Sequence, residues 1–312
     1  MRLVFMGTPE AAVPTLKRCV EGGHEIVAVW TQPDRPAGRG HKLTPSPVKE
    51  YALGHNLPVY QFAKIKTAEA EQLFSAHRTD AAIVVAYGRI LPPSFLRAPR
   101  AGCINVHFSL LPKYRGAAPV NWAIVRGERE TGVTTMQMDE GLDTGPIYLQ
   151  RATEIGDETA AQVIDRLALL GAELLCETLE RLDDLTPRVQ VSDEATFAPL
   201  LRREDGRINW NQAAVEIERA VRGFQPWPNA HTEYDGRRVI IWRAHAQDEA
   251  LLPPENIYAH GEIVEARGES LVVACGGGTA LSIRELQPET KRRMSARDFL
   301  NGAQPRAGEK FL

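Results

Sequence analysis

Asn105 and His107 stand two apart in the run Cys103-Ile104-Asn105-Val106-His107-Phe108. In an extended strand, residues two apart share a face and lie about 6 to 7 Å from one another, so an amide and an imidazole are presented together. Asp143 adds a carboxylate. It lies in Asp139-Glu140-Gly141-Leu142-Asp143-Thr144-Gly145-Pro146, directly after the alternating segment Gly132 to Met138, which reads as a second buried strand delivering acids at its end. Such a set suits carbonyl chemistry: the amide donates to a developing oxyanion, the imidazole carries protons near neutral pH, and the carboxylate orients or repolarises it. Taken alone, a histidine on a strand is more often a hydrogen-bonded structural residue, and an asparagine near it more often holds a turn. The third group tips the reading toward catalysis.

Other chemistries fit less well. Cys103 is four strand steps from His107, about 13 Å along the chain, too far for a thiol–imidazole pair. Asp143-Thr144-Gly145 matches the aspartic-protease triplet, but that chemistry needs two such carboxylates and no second copy occurs. The first strand-to-helix turn, Gly7-Thr8-Pro9-Glu10-Ala11-Ala12, lacks the dinucleotide-binding GxGxxG pattern. Gly276-Gly277-Gly278 lacks the Lys and Ser/Thr of a phosphate loop and reads as a turn between strands. Cys19, Cys103, Cys176 and Cys275 are scattered without a CxxC pair, which predicts reduced thiols and no disulfide framework. The remaining histidines lack metal-ligand spacing, so no metal is expected.

Strands must position these groups, and open α/β sheets carry ligands in the loops at their strands' carboxyl ends. Leu3 to Met6 reads as a buried strand, Thr8 as a helix cap with Pro9 at the first helical position, Gly22-Gly23 as the stop, and Ile26 to Thr31 as the next strand. Further strands are predicted at Ala81 to Val85 and Cys103 to His107, with helices around Ala68 to His77, Val120 to Arg126 and Thr159 to Leu182. A doubly wound, mostly parallel sheet follows. The polar stretch 184–204 reads as a linker, followed by a helix around Asn211 to Gly223. Short strands at Val239 to Ala244, Gly261 to Ala266, Ser270 to Ala274 and Ala280 to Leu286 then suggest a small β-barrel. A length of 312 residues, 43% hydrophobic and 25% charged, fits about two domains. The apolar run at Leu3 to Met6 is too short for a signal peptide or a membrane span, which predicts a cytoplasmic protein. Trp210, Trp227 and Trp242 are expected in a core or domain interface rather than as base-stacking platforms.

The net charge of −3 argues against a uniformly basic coat but leaves room for local basic surfaces. Arg35 to Lys49 is one such stretch, basic without an intervening acid, rich in Gly and Pro, and placed just after the second strand; it should be an exposed loop. Composition alone slightly favours a merely solvated loop. Lys291-Arg292-Arg293 with Arg297 is a second patch, equally consistent with an ordinary soluble surface.

Several motifs together resemble the methionyl-tRNA formyltransferases: Asn105-Val106-His107 with Ser109-Leu110-Leu111-Pro112 and Tyr114-Arg115-Gly116-Ala117-Ala118-Pro119, then Leu142-Asp143-Thr144-Gly145. Phe5-Met6-Gly7-Thr8-Pro9, Thr31-Gln32-Pro33-Asp34-Arg35-Pro36-Ala37-Gly38-Arg39-Gly40, Phe224-Gln225-Pro226-Trp227-Pro228 and Met294-Ser295-Ala296 extend the likeness over nearly the whole chain. The resemblance implies a Rossmann-type catalytic domain over 1–183, a linker over 184–204, and a tRNA-binding, OB-like β-barrel domain over 205–312. It implies transfer of a formyl group from the co-substrate 10-formyltetrahydrofolate to the amino group of initiator methionyl-tRNA, directly and without a metal. Asn105, His107 and Asp143 would be catalytic, and Ser109, Leu110, Leu111 and Pro112 would line the folate site.

Leu91, in the segment after the third strand, is the expected pterin contact, with ordinary strand-end packing as the alternative. The likeness also turns the basic stretch into a tRNA contact through Arg39 and Lys42. Phe108 departs from the smaller residue common after this histidine, which would alter the pocket floor. The protein is expected to act as a monomer, away from membranes. Two other classes stay in view: a folate-dependent formyltransferase acting on a small amine such as an amino sugar nucleotide, and an RNA-binding protein on a degenerate enzyme scaffold. The intact Asn105, His107 and Asp143 speak against the last, and the basic stretch against the small amine.

Overall fold

The computed structural model describes residues 1–37, 42–247 and 258–312. The chain divides into two compact units, one built from Met1–Pro119, Glu130–Glu154 and Ile164–Pro199, the other from Val120–Arg129, Ile155–Val163 and Leu200–Leu312.

The first half runs β1 (Arg2–Gly7), α1 (Val13–Glu21), β2 (Glu25–Trp30), β3 (Arg35–Ala37), β4 (Lys42–Thr44), α2 (Pro47–Gly54), β5 (Val59–Tyr60), α3 (Ala68–Ala76), β6 (Ala81–Val85), α4 (Pro93–Arg97), β7 (Cys103–His107), β8 (Arg115–Gly116), α5 (Pro119–Val125), β9 (Glu130–Gln137), β10 (Ile147–Glu154) and α6 (Ala160–Glu180). Among the described residues the first unit holds a seven-stranded sheet ordered β10-β9-β7-β6-β1-β2-β5. Pairings are parallel from β7 to β5, and β9 and β10 run antiparallel at the other edge. Covered on both faces, β1, β6 and β7 are near-continuous apolar runs buried along their lengths, as parallel strands must be. The order reverses between β1 and β6, since the chain winds outward through β2 and β5 on one side and through β7 on the other. Such a switch point opens a crevice at the strands' carboxyl ends.

One face of β2 is held by aromatic packing. Trp30 is fully buried, stacked on Phe62 at 5.1 Å and edge-on to Phe74 and Phe95 at 5.4 Å each, which fixes α3 and α4 on the sheet. On the other face, a Cβ on Gly171 of α6 would come within 2.8 Å of Val106 and 3.4 Å of the Phe108 ring. The glycine lets the helix lie close against β7.

Two local expectations change. Thr8 does not cap a helix: a 3-10 turn over Glu10–Ala12 intervenes before α1, and the Thr8 hydroxyl donates instead to the Tyr87 carbonyl at 3.2 Å. The stretch read as a loop contains an antiparallel hairpin, β3 with β4, pairing Arg35 with Thr44 and Ala37 with Lys42. Its base is anchored by Lys49, which donates to Asp34 at 2.7 Å and to Gln61 at 2.8 Å. These hydrogen bonds from Lys49 and Gln61 hold the Asp34 carboxyl below its ordinary range. Ser46 caps α2, accepting from the Lys49 amide at 3.1 Å and bonding the Thr31 hydroxyl at 2.7 Å. Ser46→Ala is therefore expected to lower stability by about 1 kcal/mol in equilibrium urea unfolding, as loss of an N-cap does.

After α6 come β11 (Phe197–Ala198), α7 (Ala214–Gly223), β12 (His231–Tyr234), β13 (Arg237–Gln247), β14 (Ile263–Arg267), β15 (Ser270–Ala274), β16 (Ala280–Pro288), β17 (Met294–Ser295) and α8 (Ala296–Ala303). The stretch 184–204 thus carries β11, which pairs parallel with β8 inside the first unit. In the second unit the described strands form an antiparallel sheet ordered β12-β13-β16-β15-β14, with β17 on β16. Gly277 and Gly278, both at positive φ, make the turn between β15 and β16, as the sequence suggested. α7 and α8 cover the sheet through Ile217, Val221, Phe299 and Leu300. Trp210 is buried in this core and donates to Thr232 at 3.0 Å, whereas Trp227 is 52% exposed, outside any core. Among the described residues no helix is long and apolar enough to cross a membrane.

Candidate active site

β7 ends at the candidate residues Asn105 and His107. It is central and buried, registered with β6 through Val84 opposite Asn105 and with β9 through His107 opposite Thr134. Alternation puts Cys103, Asn105 and His107 on one face and sends Val106 and Phe108 to the α6 side. Phe108 therefore packs beside Gly171 and does not form the floor of the pocket. Cys103 is fully buried, donates to the Phe95 carbonyl at 3.4 Å, and has its thiol pushed up to about 12 by burial. A thiol held neutral in this way is no nucleophile.

The His107 ring is fixed by backbone. Its Nε2 lies 3.0 Å from the Tyr114 carbonyl oxygen, which can only accept, so Nε2 carries the hydrogen and Nδ1 faces Asp143. The Asp143 Oδ2 is 3.9 Å from Nδ1, beyond a direct hydrogen bond. That carboxylate is itself positioned by the Gly116 amide, which donates to Oδ2 at 2.8 Å. Asn105 is 8% exposed, and among the described residues its amide makes no hydrogen bond with the protein. An amide held at a strand end without a partner is ready to bind something else.

The loops carrying Tyr114, Gly116 and Asp143 are clamped by residues with no visible signal in the sequence. β8 is stitched to β11, with the Ala198 carbonyl accepting from the Ala117 amide at 2.9 Å. Gln190 donates to the carbonyls of Asp143 at 2.9 Å and Gly145 at 2.7 Å, while its Oε1 accepts from Arg115 at 2.7 and 3.0 Å. Gln190 and Arg115 are only 7% and 6% exposed. Gln190→Ala would leave the Arg115 guanidinium without this acceptor and both carbonyls without donors. The expected cost is about 2 to 3 kcal/mol of stability, with a lowered kcat as Asp143 shifts; thermal melts beside steady-state assays would check both.

The remaining expected residues are distributed unevenly. Ser109 is buried, its hydroxyl donating to the Lys113 carbonyl at 2.7 Å and its carbonyl accepting from Thr134 at 2.6 Å. Leu111 packs with Met136 and Ile147. Leu110 and Pro112 are half-buried in the same turn. Leu91 is buried in the cluster with Tyr87, Phe95 and Cys103. Lys42 lies on β4, and Arg39 falls outside the described residues. Among the described residues no cluster of three or more His, Cys, Asp or Glu is placed to hold a metal.

A mostly parallel sheet with an amide, an imidazole and a carboxylate at adjoining strand ends defines the class. Residues 1–179 match the Formyl transferase family model and residues 200–304 match the model described as Formyl transferase, C-terminal domain; the chain belongs to the formyl transferase family. Within it, the chain is 50% identical over 306 residues to the methionyl-tRNA formyltransferase of Pelotomaculum thermopropionicum, covering 97% of this chain and 96% of that one. It is 47% identical over 311 residues to that of Geobacter metallireducens, covering 99% and 97%. The solved N-formyltransferase of Helicobacter canadensis shares the fold, with a TM-score of 0.66 at 19% identity over 92% of this chain and 98% of that one.

Proposed function

We propose that this protein transfers the formyl group of 10-formyltetrahydrofolate to the amino group of the methionine carried by initiator tRNA, without a covalent enzyme intermediate and without a metal. The observation that carries the chemistry is the unpartnered Asn105 amide on the same strand face as His107, with Asp143 beside the ring. The near full-length likeness to methionyl-tRNA formyltransferases supports the choice of acceptor.

In the reaction the neutral amine attacks the formyl carbon and its oxygen gathers negative charge. Asn105 donates to that oxygen. One proton leaves the attacking nitrogen and one arrives at the departing folate nitrogen, so none is gained or lost overall. His107 polarises the formyl group or handles the proton at Nδ1, and Asp143 stabilises the ring's positive form across the 3.9 Å gap.

Residues 1–183 are the catalytic domain and 184–204 the linker in this reading. Residues 205–312 are an OB-like barrel that contacts tRNA; the antiparallel path β12-β13-β16-β15-β14 supports it. Ser109, Leu110, Leu111, Pro112 and Leu91 shape the folate site, chiefly by holding the turns around it. Arg39 and Lys42 of the basic stretch 35–49 meet the acceptor stem. The protein works as a cytoplasmic monomer. The test is an acceptor panel: 10-formyltetrahydrofolate with methionyl initiator tRNA, free methionine or an amino sugar nucleotide. Consumption of the charged tRNA alone supports the reading, and turnover of the sugar nucleotide with indifference to tRNA contradicts it.

A further inference from the structure

The carbonyl that fixes the His107 ring belongs to a residue in an unusual conformation. Tyr114, which accepts from His107 Nε2 at 3.0 Å, sits at φ +59°, in the left-handed region that a bulky side chain rarely enters. Such a backbone persists only where its surroundings hold it. Thr196, immediately before β11, grips it from both sides. The Thr196 hydroxyl oxygen accepts from the Tyr114 amide at 2.9 Å, and the Thr196 carbonyl accepts from the Arg115 amide at 2.8 Å. The Thr196 amide in turn donates to the Pro112 carbonyl at 3.3 Å. The peptide unit joining Tyr114 to Arg115 is thus tied at both ends, its N–H to Thr196 and its carbonyl to the imidazole.

A carbonyl and the N–H that follows it turn together, because the unit between them is planar. If Tyr114 left the left-handed region, its carbonyl would swing away from Nε2 and the ring would lose the acceptor that keeps its hydrogen there. A neutral imidazole carries one N–H, and the hydrogen bond made by one nitrogen decides which of the two bears it. Freed from the carbonyl, the ring can place that hydrogen on Nδ1, facing Asp143, where no further proton can be taken. We propose, given the role assigned above to His107, that Thr196 is a positioning residue for the transfer: it keeps Tyr114 left-handed and thereby holds His107 as the Nε2–H tautomer, with Nδ1 open to a proton. Thr196 lies in the stretch read as linker and is itself exposed, while the Tyr114 that it grips is buried. The segment leaving the first unit thus reaches the reacting imidazole through one side chain and one peptide.

Thr196→Val keeps the shape but puts a methyl group where the accepting hydroxyl stood, which also keeps water from the Tyr114 amide; Thr196→Ser retains the hydroxyl. In steady-state assays of the full-length enzyme with 10-formyltetrahydrofolate and methionyl initiator tRNA, Thr196→Val is expected to lower kcat about 10-fold, a part of the roughly 10² to 10⁴ that a positioned acid–base group supplies. KM for either substrate should stay within about two-fold of wild type, since the hydroxyl touches neither. Thr196→Ser should recover most of the rate, and Thr196→Ala, which admits water to the amide, should fall between the two. Heteronuclear NMR of the ring nitrogens, recorded without substrate where the ring is neutral and assigned against His107→Gln, supplies the readout that a merely structural role would not move. Wild type and Thr196→Ser should carry the hydrogen on Nε2, and Thr196→Val should show the two tautomers mixed. A wild-type kcat in folded Thr196→Val, an equal loss in Thr196→Ser, or an unaltered tautomer in Thr196→Val overturns the assignment. A wild type that formylates no charged tRNA defeats the proposed function instead, and the NMR comparison, which needs no substrate, still upholds or overturns the hold of Thr196 on the ring.

Discussion

Asn105→Ala is expected to lower kcat by about 10² to 10³, the usual effect of removing one donor to a developing oxyanion. The folded state should hardly notice, because the Asn105 amide has no hydrogen-bond partner among the described residues, so truncation orphans none of them. His107→Ala should cripple turnover too, but for a different balance of reasons. It removes the donor to the buried Tyr114 carbonyl, so a stability loss of about 1 to 3 kcal/mol should accompany the lost rate. Urea unfolding beside steady-state kinetics separates the two signatures. If Asn105→Ala turned over at near wild-type rate, its place in the mechanism would be lost.

Gly116→Ala should be a severely damaging single methyl group. Gly116 sits at φ +125°, a conformation rarely open to L side chains, and a Cβ there would come 2.4 Å from the Ala198 carbonyl oxygen. The strained backbone costs about 1 to 3 kcal/mol, and relief of the clash requires β8 to part from β11. The same movement withdraws the Gly116 amide from Asp143 Oδ2, so the carboxylate loses its anchor. A fall in kcat of about 10²-fold, in the range of lost acid–base assistance, is expected together with a lower unfolding midpoint. Ala117→Gly, one residue along at an exposed position, serves as the control and should leave kcat close to wild type.

Much of this was legible in the sequence because the signals were local. Period-two spacing placed Asn105 and His107 on one face, and apolar runs such as Ala81 to Val85 announced buried parallel strands. The gap between His107 and Asp143 was not legible, since it depends on where two loops from different strands come to rest. Gln190 lay in a polar stretch read as linker, and its role arises only when β11 pairs with β8, a contact about 80 residues apart in sequence that no local pattern announces. The hairpin was missed because β3 and β4 are three residues each, with prolines and glycines around them. Thr8 looked like a cap because hydroxyls before proline usually are; here its hydroxyl reaches across the sheet to Tyr87.

The most direct measurement is a rapid-quench single turnover with formyl-labelled 10-formyltetrahydrofolate and methionyl initiator tRNA. Label should leave the folate and appear on the methionyl nitrogen in one phase, with none on the protein at any time. That phase should slow by about 10² or more in Asn105→Ala. Label trapped on the protein, or transfer at an undiminished rate in the variant, would contradict a direct exchange governed by the groups at the end of β7.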